Sequence, residues 1–198
     1  YDDQLAQRII GQCQHYGLPA NALVVEITES LLIDNKQDTQ AFLQQLQQAG
    51  IAIAIDDFGT GYSSLSYLAA FPVQKLKIDR SFIQQIQQDT RKQALVSTMI
   101  DLGHALGMEV TAEGIETQQE LDMLKSQGCD TIQGFLISRP MPAAQLEEFL
   151  VARLKPSDKS HNGLFSGCVI YSGTLARGLA YRAMLEQNDD AYIPRFSL

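Results

Sequence analysis

Short apolar runs that end in charged or amide residues alternate along this chain with stretches whose apolar positions recur every three to four residues. Val24-Val25 leads into Glu26-Ile27-Thr28-Glu29, and the run from Ile51 to Ile55 leads into Asp56-Asp57-Phe58-Gly59-Thr60-Gly61. Leu76-Lys77-Ile78-Asp79 follows, then Met108 to Ala112 ending in Glu113-Gly114-Ile115-Glu116, then Thr131-Ile132 ending in Gln133-Gly134. These runs predict five strands, with a sixth candidate at Phe135 to Ser138. Helical stripes lie between them: Leu5, Ile9, Ile10 and Cys13; Phe42, Leu43 and Leu46; Leu95, Val96, Met99, Ile100 and Leu106; Leu121, Met123 and Leu124; Leu146, Phe149 and Leu150. Thr117 with Glu120 has the spacing of a capping box, and Gly50 and Gly107 stand where helices should stop.

Alternating strands and helices imply parallel strands joined by right-handed crossovers. Nine acidic, basic and amide side chains then converge on one rim, the C-terminal end of the strands. In an α/β barrel that rim is where active sites are built, and a closed barrel needs eight strands. Residues 156–163 read as a linker; beyond them Gly167 to Tyr171 fits a strand and Thr174 to Gln187 a helix.

A chain of 198 residues, 45% apolar and 19% charged, fits one soluble domain with a real core. No apolar run approaches a membrane span and no secretory signal is visible; the cysteine pattern fits a reducing cytoplasm, the expected location, with a membrane anchor in upstream segments of the parent protein left open. A net charge of −8 argues against a groove for a nucleic-acid polymer, yet leaves room for a phosphate substrate where bound divalent cations invert the local sign. Cys13, Cys129 and Cys168 form no C-x-x-C pair and read as buried structural thiols; His15, His104 and His161 lack zinc-ligand spacing.

Each polar strand end has a plain reading beside the chemical one. Adjacent carboxylates repel, so Asp56-Asp57 stays ionised only with cations or donors beside it. Both can reach one site only if the strand bends, a freedom that Gly59 and Gly61 could supply. The same pair also fits an Asp turn capping a helix that starts at Ser63 or Ser64. Glu29 either holds the neighbouring loop through hydrogen bonds or is a first-turn helix acid, and Glu116 could be only a helix N-terminal charge. Lys77 and Asp79 alternate on a strand, so an interior ion pair between them is one expectation. Gly59-x-Gly61 is a weak phosphate-loop signal. Together the candidates offer hard oxygen ligands and no imidazole or thiolate, a set that selects Mg²⁺ or Mn²⁺ and suits two-metal phosphoester hydrolysis.

Glu26-x-Thr28-Glu29, Asp56 to Leu65, Lys77-Ile78-Asp79, Glu113-Gly114-x-Glu116-Thr117 and Gln133-Gly134-Phe135 with Ser138-x-Pro140 resemble, in order and interval, the EAL-domain phosphodiesterases of bacterial cyclic di-GMP signalling. The resemblance covers residues 1–155 and leaves 156–198 as linker and tail. It implies a TIM-like (β/α)8 barrel in which two Mg²⁺ or Mn²⁺ ions activate a water that cuts cyclic di-GMP to linear pGpG. By position, Glu26 resembles a ligand of the first metal, Asp56 the bridge between both, and Asp57 a ligand of the second. Lys77 resembles the residue that orients the water, and Glu113 the second-site ligand or general base. Glu29 resembles the anchor of the loop after Asp57, a loop that the resemblance links to homodimerisation and metal affinity. Asp79, Glu116, Gln133 and Pro140 resemble substrate-binding or supporting residues.

The Glu-Ala-Leu tripeptide and the Asn ligand on the strand after it are missing. The expectation is therefore an incomplete barrel lacking the first two strand–helix units, with little activity from these residues alone. The parent protein is expected to carry sensor or GGDEF-type domains. A non-catalytic cyclic di-GMP receptor or interaction domain of the same fold is the alternative.

Overall fold

The structure is a computed structural model that describes residues 4–29, 31, 36–61, 65–142, 145–146, 148–149 and 195–197. Helix α1 (Leu5–His15) precedes strand β1 (Val24–Thr28), α2 (Lys36–Gln48) and β2 (Ala52–Phe58). Then come α3 (Leu65–Ala70), β3 (Lys75–Ile78), the short α4 (Arg80–Ile83), α5 (Thr90–Ala105), β4 (Glu109–Glu113), α6 (Gln118–Ser126) and β5 (Thr131–Gln133).

Strands β1 to β5 are parallel and lie side by side in strict sequence order. A doubly wound sheet reverses its order at a switch point, whereas a barrel wall does not. The five predicted strands are therefore consecutive staves of an α/β barrel, incomplete among the described residues. Its middle strands carry continuous apolar runs because both faces are covered: Ile53, Ile55, Leu76, Ile78, Val110, Ala112 and Ile132 are fully buried. From the helices, Leu43, Leu46, Val96, Ile100 and Leu124 close the layer over them. Each such Ile or Leu contributes about 1.5–3 kcal/mol by leaving water.

The predicted punctuation is present: Thr117 and Glu120 form a capping box, and Gly50 and Gly107 follow α2 and α5 with positive φ. Three expectations change. Leu95 is spaced like a core residue but lies outward, 49% exposed. Phe135 to Ser138 is not a strand, because the amides of Ile137 and Ser138 both turn back to the Gly134 carbonyl. A short antiparallel strand β6 (Arg195–Ser197) pairs instead with β5, Arg195 opposite Gln133. The expected strand at 167–171 and helix at 174–187 lie outside the described residues.

Cys13 and Cys129 are buried and free, and burial pushes the Cys129 thiol up to about 12, which makes it unreactive. No helix among the described residues is long and apolar enough to cross a membrane.

Candidate metal and phosphodiester site

Parallel strands running one way bring Glu26, Asp56, Lys77, Glu113 and Gln133 to the same end of the sheet. Lys77 is the centre. Its side chain is 4% exposed, and Nζ lies 2.7 Å from Glu26 Oε2, 2.6 Å from Asp56 Oδ1 and 2.7 Å from Glu113 Oε1. The first two are hydrogen bonds, and Glu113 Oε1 stands against the same ammonium as a third ion pair. Burial pushes the Glu113 carboxyl above its ordinary value; the Lys77 charge opposes that, and Asp56 and Asp57 add to it.

Asp56 and Asp57 reach the site together through a break in the β2–β3 ladder. Ile55 faces Leu76 and Phe58 faces Ile78, so two β2 residues oppose Lys77 alone. This is a β-bulge, which re-aims a side chain that would otherwise point away. The bend expected from Gly59 and Gly61 begins at Asp57 itself, whose φ is 54°. That left-handed conformation costs an ordinary residue roughly 1–2 kcal/mol, though Asp tolerates it better than most. As a result Asp56, Asp57 and Glu113 offer carboxylate oxygens within 4.8 Å of one another. Three carboxylates, Glu26, Asp56 and Glu113, meet one ammonium, and Asp57 adds a fourth beside two of them. The excess negative charge and the all-oxygen donor set fit a hard divalent cation.

The loop after the bulge is held from beneath. Glu29, 3% exposed, accepts hydrogen bonds from the amides of Gly59 at 3.0 Å and Gly61 at 3.3 Å. Those amides are thereby occupied, which removes the phosphate-loop reading of Gly59-x-Gly61. Gly59 has φ 96°, and any β-carbon there would strike Phe82 and Met99. Whether a helix begins at Ser63 or Ser64 lies outside the described residues, and the helix described starts at Leu65.

A cleft of about 550 Å³ opens beside the carboxylates. Asp57 and Glu113 line it, with Asp79, Glu116 and Gln133. Lys77 and Asp79 do not pair as an alternating strand would place them, because β3 ends at Ile78. Asp79 instead caps α4, accepting from the Ser81 amide at 2.9 Å. Burial pushes its carboxyl up, but the bonds from Ser81 and Arg80 and the Arg80 charge outweigh burial and hold it below the usual range. The amide of Glu116 and that of Thr117 both donate to Glu120, which fixes the turn carrying Glu116 to the rim. Pro140 is exposed and is not among the residues lining the cleft.

Thr60, Arg80 and Phe135 also line the cleft, although none stands out by strand-end position. Their only sequence signal is adjacency: each lies within a motif or directly beside a candidate acid.

The EAL domain family matches residues 1–140. The cyclic di-GMP phosphodiesterase NbdA of Pseudomonas aeruginosa is 46% identical over 136 residues, spanning 69% of this chain and 17% of that protein. This chain thus covers less than a fifth of that relative's length. A solved c-di-GMP complex of the PaMucR phosphodiesterase matches with a TM-score of 0.69 at 41% identity, covering 72% of this chain and 58% of that one. A manganese/cy-diGMP complex of BlrP1 from Klebsiella pneumoniae matches with a TM-score of 0.66 at 36% identity, covering 71% of this chain and 36% of that one.

Proposed function

Because the chain belongs to the EAL domain family, we propose that this site serves the hydrolysis of one phosphodiester bond of cyclic di-GMP to linear pGpG. The observation that carries the reading is the buried Lys77 ammonium enclosed by Glu26, Asp56 and Glu113, with Asp57 turned in beside them. NbdA, a cyclic di-GMP phosphodiesterase, and the nucleotide complexes of PaMucR and BlrP1 support the substrate. The manganese in the BlrP1 complex supports the cofactor class.

In this reading Glu26, Asp56, Asp57 and Glu113 would hold two Mg²⁺ or Mn²⁺ ions, with Asp56 the carboxylate common to both sets of ligands. Such ions supply the positive charge that lowers the pKa of water and offsets charge developing on the phosphodiester. The protein's own groups do the rest. Lys77, immobilised by two carboxylates, presents a fixed N–H to orient the attacking water. Glu113, beside the Lys77 ammonium at the rim of the cleft, is the carboxylate placed to take the proton from that water. Asp79, Glu116 and Gln133 offer acceptors and an amide along the cleft for the nucleotide. Glu29 fixes the loop after Asp57 and thereby the metal ligands.

Residues 1–155 form the phosphodiesterase portion in this reading, and 156–198 a linker and tail. In this reading the parent protein carries sensor or GGDEF-type domains and acts in the cytoplasm, and the loop after Asp57 is the proposed homodimer contact.

The test is conversion of cyclic di-GMP to pGpG by the natural-length protein, with Mn²⁺, with Mg²⁺ and with chelator. Metal-dependent turnover abolished by Asp56→Asn is expected. Binding of the nucleotide without hydrolysis at any metal concentration would replace this reading with that of a receptor.

A further inference from the structure

We infer that Thr60 is a positioning residue of the metal site, clamping the Asp57 carbonyl so that the Asp57 carboxylate stays turned toward Asp56 and Glu113. The inference rests on the metal reading above and extends it to a residue that ligates nothing itself.

Three observations meet at this residue. Asp57 is one of only two non-glycine residues with positive φ among those described. It is also one of the two β2 residues that face Lys77 together at the bulge. Thr60 Oγ1 donates to the Asp57 carbonyl at 2.8 Å, and the Thr60 amide donates to the same oxygen at 3.3 Å. The hydroxyl bond is the shorter of the two and lies at the usual length for its kind, whereas the amide bond is long.

The physical consequence follows from the left-handed backbone. A residue held at φ 54° relaxes toward extended backbone unless something fixes its peptide, and in extended backbone successive side chains point to opposite faces. Relaxation at Asp57 would therefore carry its carboxylate away from Asp56. On the far side, Glu29 fixes Gly59 and Gly61 but makes no bond to the peptide of Asp57 itself. Among the described residues, Thr60 bonds that peptide through its carbonyl. Because Thr60 is exposed, removing its hydroxyl opens no core cavity, and the effect should be read in metal affinity rather than in folding.

The experiment is Mn²⁺ titration of the full 198-residue chain by calorimetry, with thermal melts in chelator, for wild type, Thr60→Val, Thr60→Ala, Thr60→Ser and Asp57→Ala. Valine keeps the branched shape and lacks the donor. Thr60→Val and Thr60→Ala should weaken Mn²⁺ binding by about tenfold or more, the scale of lost outer partners of metal ligands, with melts in chelator unchanged. Thr60→Ser should stay within about twofold of wild type on the same scale. Thr60→Val binding Mn²⁺ as tightly as wild type overturns the inference. So does a loss that follows a fall in the chelator melt and is not restored by serine. Asp57→Ala separates the two levels: if it too binds Mn²⁺ as wild type does, the metal reading itself fails. If it weakens binding while Thr60→Val does not, only the role of Thr60 fails.

Discussion

Lys77 Nζ lies 2.6 Å from Asp56 Oδ1, an ion pair almost closed to solvent on the lysine side and about a quarter open on the aspartate side. The same ammonium also faces Glu26 and Glu113, so a single positive charge holds three carboxylates together. That arrangement makes the metal-free protein depend on Lys77. Lys77→Met leaves the carboxylates facing one another and should destabilise the protein in chelator by roughly 3 kcal/mol. That is the low end for breaking a buried pair, because the acids are partly exposed. Mn²⁺ supplies the missing positive charge, so the deficit should shrink when the metal is present. Urea unfolding in chelator and in Mn²⁺ measures both; an equal deficit in the two conditions contradicts the shared-charge account.

All candidate ligands are oxygens, and Asp56 touches Lys77 while also standing in the carboxylate trio. Mg²⁺ and Mn²⁺ should support turnover, whereas Ca²⁺, with longer bonds and looser geometry, should bind without supporting it. In the natural-length protein Asp56→Asn should cost at least about 10²-fold in turnover, the scale of losing a ligand shared by two ions. Lys77→Ala should lower turnover more than nucleotide binding. Steady-state rates with each ion check these points, and full activity in chelator contradicts the metal mechanism.

The strand ends were legible because an apolar run followed by a carboxylate, as at Ile55-Asp56 or Ala112-Glu113, marks where a buried strand meets solvent. Their convergence followed from parallel topology alone. The sign of φ at Asp57 was not legible, since the bulge depends on how many β3 residues lie opposite, which is a property of two strands. Asp79 misled because period-two reasoning assumes that the strand continues, while β3 stops one residue earlier and hands Asp79 to a helix cap. Phe135 to Ser138 is a short apolar run of strand length, but the Gly134 carbonyl draws two amides into a turn. Leu95 has core spacing on a helix whose outer face also carries an apolar residue.

Glu29 acts at a distance from the carboxylates. Its Oε2 takes both loop amides, and its Oε1 is buried without a hydrogen-bond partner among the described residues. Glu29→Ala frees the Gly59 and Gly61 amides and lets the loop after the bulge shift. The expected result is a higher Mn²⁺ concentration for half-maximal activity, with turnover at saturating metal much less affected. A drop in saturated turnover with unchanged metal dependence would instead put Glu29 among the groups that touch substrate.

Glu120 ties the rim to the helices by three backbone bonds. Oε1 accepts from the Gln85 amide at 2.9 Å, and Oε2 accepts from Glu116 and Thr117 at 3.0 Å each. Gln85 has φ 59°, so the bond also steadies a left-handed turn. Burial would push this carboxyl up, but the three amides and the Thr117 hydroxyl outweigh burial and hold it below its ordinary 4.5. A depressed folded pKa means the stabilisation is complete above the unfolded value and is lost as pH falls through the lower folded one. Glu120→Ala orphans three amides and should cost about 1–3 kcal/mol at neutral pH. The gap from wild type should narrow as pH falls below 4.5, because protonation weakens the same bonds in wild type. Urea unfolding of both proteins at neutral and acid pH measures that gap, and a gap that stays constant with pH contradicts the assignment of these bonds to the ionised carboxylate.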